Sequence, residues 1–198
     1  MHNLTNKHYQ SLKRLLRYIK GTQHYGIPFI EGDLTLQTFV DADWAADQTD
    51  RKSVTGFCSF LGPNLLSWQV KKQATVSKSS TEAEYRALSS ATSDVIWLRR
   101  LLAEFHENQL QPTVIHCDNT SALALAKNPV FHARTKHIEI YYHFISEHVK
   151  SNAITLHHIN SADQPADILT KALSPARFCA LRTKLTIQSQ DAQLARGC

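Results

Sequence analysis

The sequence predicts an α/β fold in which one small sheet carries helices, and three observations point to it. Three strand-like runs follow one another between Leu34 and Val70. The apolar period then lengthens to three and four over a long stretch ending near Glu107. Beyond it, two further short apolar runs are separated by helical patterns. With 198 residues, 42% of them apolar and only 6 Gly and 6 Pro, the chain is long enough for one hydrophobic core and some extra length. Collagen-like and wholly disordered classes are excluded by the same composition. No apolar run approaches the roughly 20 residues needed to cross a bilayer, and the N-terminal residues form no signal-peptide core, so a soluble intracellular chain is expected. Cys58, Cys117, Cys179 and Cys198 are too widely spaced for a CxxC pair and are expected as reduced thiols.

The elements follow in order. His8 to Lys20 sets Tyr9, Leu12, Leu15, Leu16 and Ile19 at helical spacing with bases on the other face, and Gly21 stops the helix. The first thirty residues contain Lys7, Lys13, Arg14, Arg17, Lys20 and no acid, so they hold the whole formal charge of +5. Removing those five from 22 basic residues leaves 17 against 17 acidic ones in the rest of the chain. A solvated basic face and a nucleic-acid-facing one are equal readings of this helix. Leu34 to Val40 alternates as a strand and runs into Asp41-Ala42-Asp43-Trp44. Thr55 to Leu61 and Leu65 to Val70 are strands joined by the turn Gly62-Pro63-Asn64, which suggests a meander. Leu88, Ala91, Val95, Leu98, Leu102 and Phe105 mark one face of a helix from about Thr81 to Glu107. Thr113 to Cys117 is a short strand, Asp118-Asn119-Thr120-Ser121 a cap, and Ala122 to Lys127 the helix it starts. A helix from Thr135 to Lys150 and a strand from Ile154 to Ile159 come next. Pro165 then opens a helix reaching Thr170, and Pro175 another reaching Leu185.

Several acids fall where an ordinary surface acid is not needed. Four residues back along the apolar stripe from Leu88 lies Glu84, whereas Glu82 is rotated roughly 200° away, so Glu84 is expected to face the sheet and Glu82 water. An inward acid is costly to ionise unless partners or a cation compensate it. A capping box with Thr81 explains Glu84 equally well. Asp41 and Asp118 follow strands, where ligands of open α/β sheets bind, although a turn aspartate and an N-cap account for them too. Asp167 sits in a first helical turn, where the helix dipole alone favours a carboxylate. Taken together, Asp41, Glu84, Asp118 and Asp167 are a candidate carboxylate cluster. Such a cluster repels itself without divalent cations, and oxygen-only ligands favour Mg²⁺ or Mn²⁺ over zinc. Six histidines between His132 and His158 match no tetrahedral zinc spacing.

The strings Phe39-Val-Asp-Ala-Asp-Trp44, Ser67-Trp68 with Lys71-Lys72-Gln73, Ser79-Ser-Thr-Glu-Ala-Glu-Tyr-Arg-Ala-Leu88, His116-Cys-Asp-Asn119, His132-Ala-Arg-Thr-Lys-His-Ile138 and Ala166-Asp-Ile-Leu-Thr-Lys171 resemble the ribonuclease H domain of copia-type retrotransposon polyproteins. The resemblance covers nearly the whole chain. It implies a five-stranded mixed sheet flanked by helices, and four metal-binding acids at Asp41, Glu84, Asp118 and Asp167. The choice of Asp41 over Asp43 rests on the resemblance, because residues two apart in a strand share a face. The implied reaction is two-metal hydrolysis, in which Mg²⁺ or Mn²⁺ ions roughly 3.5–4 Å apart activate a water and stabilise the leaving 3′-oxygen. The implied substrate is the RNA strand of an RNA–DNA hybrid, recognised through its backbone and 2′-hydroxyls.

Lys71, Lys72, Lys78, Arg134, Lys136 and His137 are expected phosphate contacts, with solvated side chains an equal reading. Trp44 and Trp68 are expected in the core rather than stacked on a base. Cellular relatives carry a histidine in the loop before the last acid. Asn160 to Ala166 has none, and His157 and His158 lie in the preceding strand instead. His8 to Gly21 is similar to the end of the reverse transcriptase region that precedes ribonuclease H in such polyproteins. The expected division is therefore 1–32 as that tail, 33–187 as the ribonuclease H-like domain and 188–198 as a disordered polar tail. The expected partners are an RNA–DNA hybrid and the reverse transcriptase domain of the same polyprotein, in a cytoplasmic particle or the nucleus and with no membrane. A catalytically silent nucleic-acid-binding module is the alternative from another class. An exonuclease or transposase on the same sheet is a third.

Overall fold

The chain opens on α1 (Asn6–Gly21), capped by Thr5, whose side chain accepts a hydrogen bond from the His8 N–H. No residue of α1 is buried, and its apolar side, Leu12, Leu15, Leu16 and Ile19, stays about half exposed. The structure, a computed structural model, describes residues 4–127 and 139–189. After the short β1 (Tyr25–Gly26), the strands β2 (Leu36–Asp43), β3 (Val54–Leu61) and β4 (Asn64–Lys72) form the antiparallel meander foreseen from their alternation. The turn between β3 and β4 requires Gly62: its φ is +54°, and a Cβ there would lie 2.0 Å from the Asp33 carbonyl oxygen.

α2 (Ser80–Glu104) then crosses the sheet and leads to β5 (Thr113–Cys117), α3 (Thr120–Lys127), α4 (Glu139–Lys150) and β6 (Ile154–His158). A 3₁₀ turn at Ser161–Asp163, α5 (Asp167–Thr170), α6 (Pro175–Lys184) and β7 (Gln188–Ser189) complete the described chain. None of the described helices is long and apolar enough to cross a membrane.

The five-stranded sheet has the order β4-β3-β2-β5-β6. β2 pairs antiparallel with β3 but parallel with β5, and β5 pairs parallel with β6, so the sheet is mixed. Along β2, Leu36, Val40 and Ala42 point to one face. There they pack with Ile115, Ile154 and Leu156 against Ala83, Leu88, Ala91 and Val95 of α2 and Ile145 of α4. Phe39 points to the other face, where Cys58, Phe60, Ala166, Ile168 and Leu185 form a smaller core under α5 and α6. The 3.6-residue apolar stripe of α2 covers the first face, and the second is closed by the chain returning after β6.

Two local expectations are corrected. Gln188 and Ser189, placed in the polar tail, pair antiparallel with Gly26 and Tyr25. Ile27 and Ile187, their apolar neighbours, dock on the smaller core and bring the two segments together. Residues 190–198 lie outside the described residues. Trp44 and Trp68, expected in the core, are 45% and 55% exposed. Trp44 lies in the turn after β2 and donates its indole N–H to the Ser77 carbonyl oxygen at 3.0 Å, while Trp68 lies on β4, the edge strand.

β3 and α5 are in close contact at Gly56, which pairs with Asp41. A Cβ at this position would lie 2.6 Å from Thr170 Cγ2 and 2.9 Å from Leu169 Cβ. Overpacking of this kind costs about 1–3 kcal/mol. Gly56→Ala is therefore expected to lower the urea midpoint by that amount and to weaken protection of the α5 amides in hydrogen exchange. An unchanged midpoint and unchanged exchange in α5 would show that the contact is slack.

Candidate active site

Because β2 and β5 are parallel, their carboxyl ends lie side by side. Their register pairs Phe39 with His116, and continuing it by two residues sets Asp41 level with Asp118. Asp41 is fully buried and Asp118 half-buried. Glu84, 5% exposed, enters from the second turn of α2. Its Oε1 accepts a hydrogen bond from the Ala42 N–H at 3.2 Å, which pins the carboxylate one residue from Asp41. Asp167, 6% exposed, enters from the opposite face as the first residue of α5. Both faces of the sheet thus deliver acids to one edge.

The return of the chain to that edge is stitched by the fully buried Gln164, whose Nε2 donates to the Val40 carbonyl oxygen at 2.9 Å. Behind it, the Lys171 ammonium bridges two of the carboxylates, donating to Asp41 Oδ1 at 3.0 Å and to Asp167 Oδ1 at 2.7 Å. The Thr170 hydroxyl donates to Asp41 Oδ2, and Arg177 reaches Asp167 Oδ2 at 3.3 Å. Asp118 Oδ2 accepts from the Ser161 hydroxyl at 2.7 Å.

Burial pushes the Glu84 carboxyl up to about 8, with the neighbouring Asp41 and Asp118 adding to the shift. Burial also raises Asp41, while Thr170 and Lys171 pull it back. For Lys171 partial burial opposes the charge, but the hydrogen bonds and charges of Asp167 and Asp41 outweigh it and raise the ammonium above the ordinary lysine range. Glu84, Cys117 and Asp118 offer ligand atoms within 4.8 Å of one another. Burial, reinforced by Glu84, raises the Cys117 thiol well above its ordinary value, so the usable donors are carboxylate oxygens. That donor set suits a hard divalent ion.

The helical wheel's inward Glu84 is found buried. Its competitor Glu82, expected in water, is buried too, at 3% exposure. It serves the helix start instead: Oε2 accepts from the Lys78 N–H at 2.9 Å and Oε1 pairs with Arg86 at 2.6 Å. The cap is Ser79, not Thr81, so capping does not explain Glu84. Likewise Asn119 Oδ1, not Asp118, accepts the Ala122 N–H at the start of α3. Asp43 is half-buried at the end of β2. The rings of His116 and His157 lie nearly perpendicular, 6.2 Å apart, and His158 is exposed.

Lys71 and Lys78 are exposed. Lys72 is exposed too, yet it is paired with Asp47 and, at 2.9 Å, with Asp50. Lys71, Lys72 and Arg86 line a cleft of about 260 Å³ with Gln73 and Tyr141. Arg134, Lys136 and His137 lie outside the described residues. Sequence reasoning missed Lys171, Thr170, Ser161 and Arg177 as neighbours of the acids. Only the i, i+4 spacing of Asp167 and Lys171 signalled such a contact.

No family model matches the chain. It is similar to the retrovirus-related Pol polyproteins from transposons RE1 and RE2 of Arabidopsis thaliana, 45% and 44% identical over 188 residues, 94% of this chain. A third relative is the Pol polyprotein from transposon TNT 1-94 of Nicotiana tabacum, 39% identical over 90% of the chain. The chain spans 13% of the length of each of these relatives. Among solved structures it resembles the N-terminal RNase H domain of Rv2228c from Mycobacterium tuberculosis. The TM-score is 0.52 at 12% identity, covering 76% of this chain and 98% of that one. It also resembles LC11-RNase H1 in complex with an RNA/DNA hybrid, with a TM-score of 0.51 at 14% identity, covering 69% and 94%. The fold is that of ribonuclease H.

The raised carboxyl of Glu84 has a consequence for stability. Unfolded, the group titrates near 4.5; folded and metal-free, at about 8. Between those values the folded state binds more protons, so stability falls as pH rises through this window and levels off above it. In chelator, wild type is expected to lose on the order of a few kcal/mol between pH 5 and 8 by urea denaturation. Glu84→Gln is expected to flatten that slope, and equal slopes would refute the burial argument.

Proposed function

The chain corresponds to the ribonuclease H-fold segment of copia-type retrotransposon Pol polyproteins, and from that premise we propose that it is a divalent-metal-dependent endonuclease hydrolysing the RNA strand of RNA–DNA hybrids during reverse transcription. The observation that supports this reading is the approach of Asp41 from β2, Glu84 from α2, Asp118 from just after β5 and Asp167 from α5 to one end of the central strands. A structural neighbour at 14% identity is itself a ribonuclease H bound to a hybrid, which supports the substrate class.

The donor chemistry fits hard cations: the carboxylates are oxygen ligands, the neighbouring thiol stays protonated, and a cationic ammonium already sits between two of the acids. Asp41, Glu84, Asp118 and Asp167 would hold two Mg²⁺ or Mn²⁺ ions. When bound, such ions activate a water and stabilise the leaving 3′-oxygen. The chain's own groups orient the ligands: Ser161 fixes one oxygen of Asp118, Thr170 one of Asp41, and the Ala42 N–H one of Glu84. The segment Asn160 to Ala166 before Asp167 contains no histidine, and its Ser161 hydroxyl donates to Asp118.

Lys71, Lys72, Lys78, Arg134, Lys136 and His137 are proposed to meet backbone phosphates. The exposed rings of Trp44 and Trp68 are free to stack on sugars or bases. Residues 1–32 are proposed to belong to the reverse transcriptase region; α1 has no fully buried residue, while Tyr25 to Ile27 at the end of this segment pair and pack with the chain near Ile187 to Ser189.

Cleavage of a labelled RNA–DNA hybrid in Mg²⁺ is expected from the full chain. Asp41→Asn and Glu84→Gln should each reduce it at least about a hundredfold, since even outer partners of metal ligands cost ten- to a hundredfold. Full activity in either variant removes the site assignment. Hybrid binding without cleavage in Mg²⁺ and Mn²⁺ identifies a binding module instead, and cleavage of duplex DNA from its ends identifies an exonuclease.

A further inference from the structure

The four carboxylates are not compensated alike. On one side, the Lys171 ammonium lies between Asp41 Oδ1 and Asp167 Oδ1, at 3.0 and 2.7 Å, and Arg177 approaches the other oxygen of Asp167. On the other side, Glu84 and Asp118 form no ion pair with a lysine or arginine among the described residues; their partners are a backbone N–H, a thiol and a serine hydroxyl. An ammonium at hydrogen-bond distance from two carboxylate oxygens occupies the place of a small cation. A divalent ion, which holds such oxygens at about 2.0–2.1 Å when it is Mg²⁺, claims the same lone pairs. The two charges exclude one another from that point.

We propose that Lys171 is a built-in competitor for one of the two metal positions. It holds Asp41 and Asp167 together in the metal-free protein, and it must swing out before an ion enters between them. The geometry permits the exchange: Lys171 is the C-cap residue of the one-turn α5, its side chain is 35% exposed, and its four-carbon stem gives the ammonium a path to solvent. Arg177 is unsuited to that movement, because its guanidinium is also tied to the carbonyl oxygens of Ser161 and Ala162. The two positions are therefore inequivalent. The one on the Glu84 and Asp118 side fills without displacing a cation, and the one between Asp41 and Asp167 fills only in exchange for Lys171.

This inference rests on the metal-dependent reading of the site, and the experiment separates the two. The full chain, stripped with chelator, is titrated with Mn²⁺ and followed by electron paramagnetic resonance and calorimetry, with no nucleic acid present. Wild type is expected to bind one ion more tightly than the second. Lys171→Met is expected to bind the second on the order of tenfold more tightly, approaching two equivalent sites. Lys171→Gln, which keeps a hydrogen-bond donor but no charge, should behave like Lys171→Met. Thermal melts in chelator guard against misfolding: both variants should melt lower than wild type without metal and regain most of the difference on adding Mn²⁺. If neither wild type nor the variants bind Mn²⁺, the metal-dependent reading fails. If all bind two ions with unchanged affinities, or the variants bind the second more weakly, Lys171 is no competitor and the inference falls.

Discussion

Four carboxylates held at one end of a small sheet repel one another, and the contacts around them answer that repulsion. Two unit charges about 4 Å apart at an effective dielectric of about 20 interact by about 4 kcal/mol, so a metal-free cluster of this kind works against the fold that makes it. Each acid is accordingly pinned by something rigid. Asp41 rides on β2 and Asp118 directly follows the adjacent parallel strand β5, Glu84 is hydrogen-bonded to the backbone of Ala42, and Asp167 is fixed through Lys171, Arg177 and the Gln164 link to Val40. The glycine at position 56 belongs to the same requirement, because any larger residue would push α5 away from β2 and β3.

Repulsion also explains why the acids differ in their surroundings. Asp41 and Asp167, on the face covered by α5, have a lysine between them. Glu84 comes from α2, whose apolar face closes the main core, and it forms no ion pair with a lysine or arginine among the described residues. Its relief comes from holding its proton up to about pH 8. One cluster thus uses two means of limiting negative charge, an internal cation on one side and protonation on the other.

How much of this was legible in the sequence follows from the range of the interactions involved. The strands and α2 were readable because their apolar periods repeat over many residues, and Glu84 because it falls on the same stripe as Leu88. The placement of Glu82 in water failed because its burial depends on Arg86 and on the segment before α2 folding over the helix start. Asp118 read as a cap because four capping residues in a row leave the choice open, and Asn119 takes that role. The two-residue β1 and β7 have no period to detect, and their pairing joins residues more than 160 positions apart. Lys171 went unassigned because its partner Asp41 lies 130 residues away.

The charge distribution gains meaning only at this local scale. The formal +5 resides entirely in the first thirty residues, and α1 carries all five of those bases on a helix with no fully buried residue. Beyond that segment the chain is neutral, so attraction of a polyanion to an edge lined with carboxylates depends on which nearby bases are unspent. Lys72 is held by Asp47 and Asp50, and a surface pair of that kind is screened within about 8–10 Å at physiological salt. Arg86 is committed to Glu82 and Thr75. Lys71 and Lys78 remain on the described surface beside α2. The field that steers a backbone toward Asp41 and Glu84 is therefore set by a few specific side chains, and the overall charge of the chain contributes little to it.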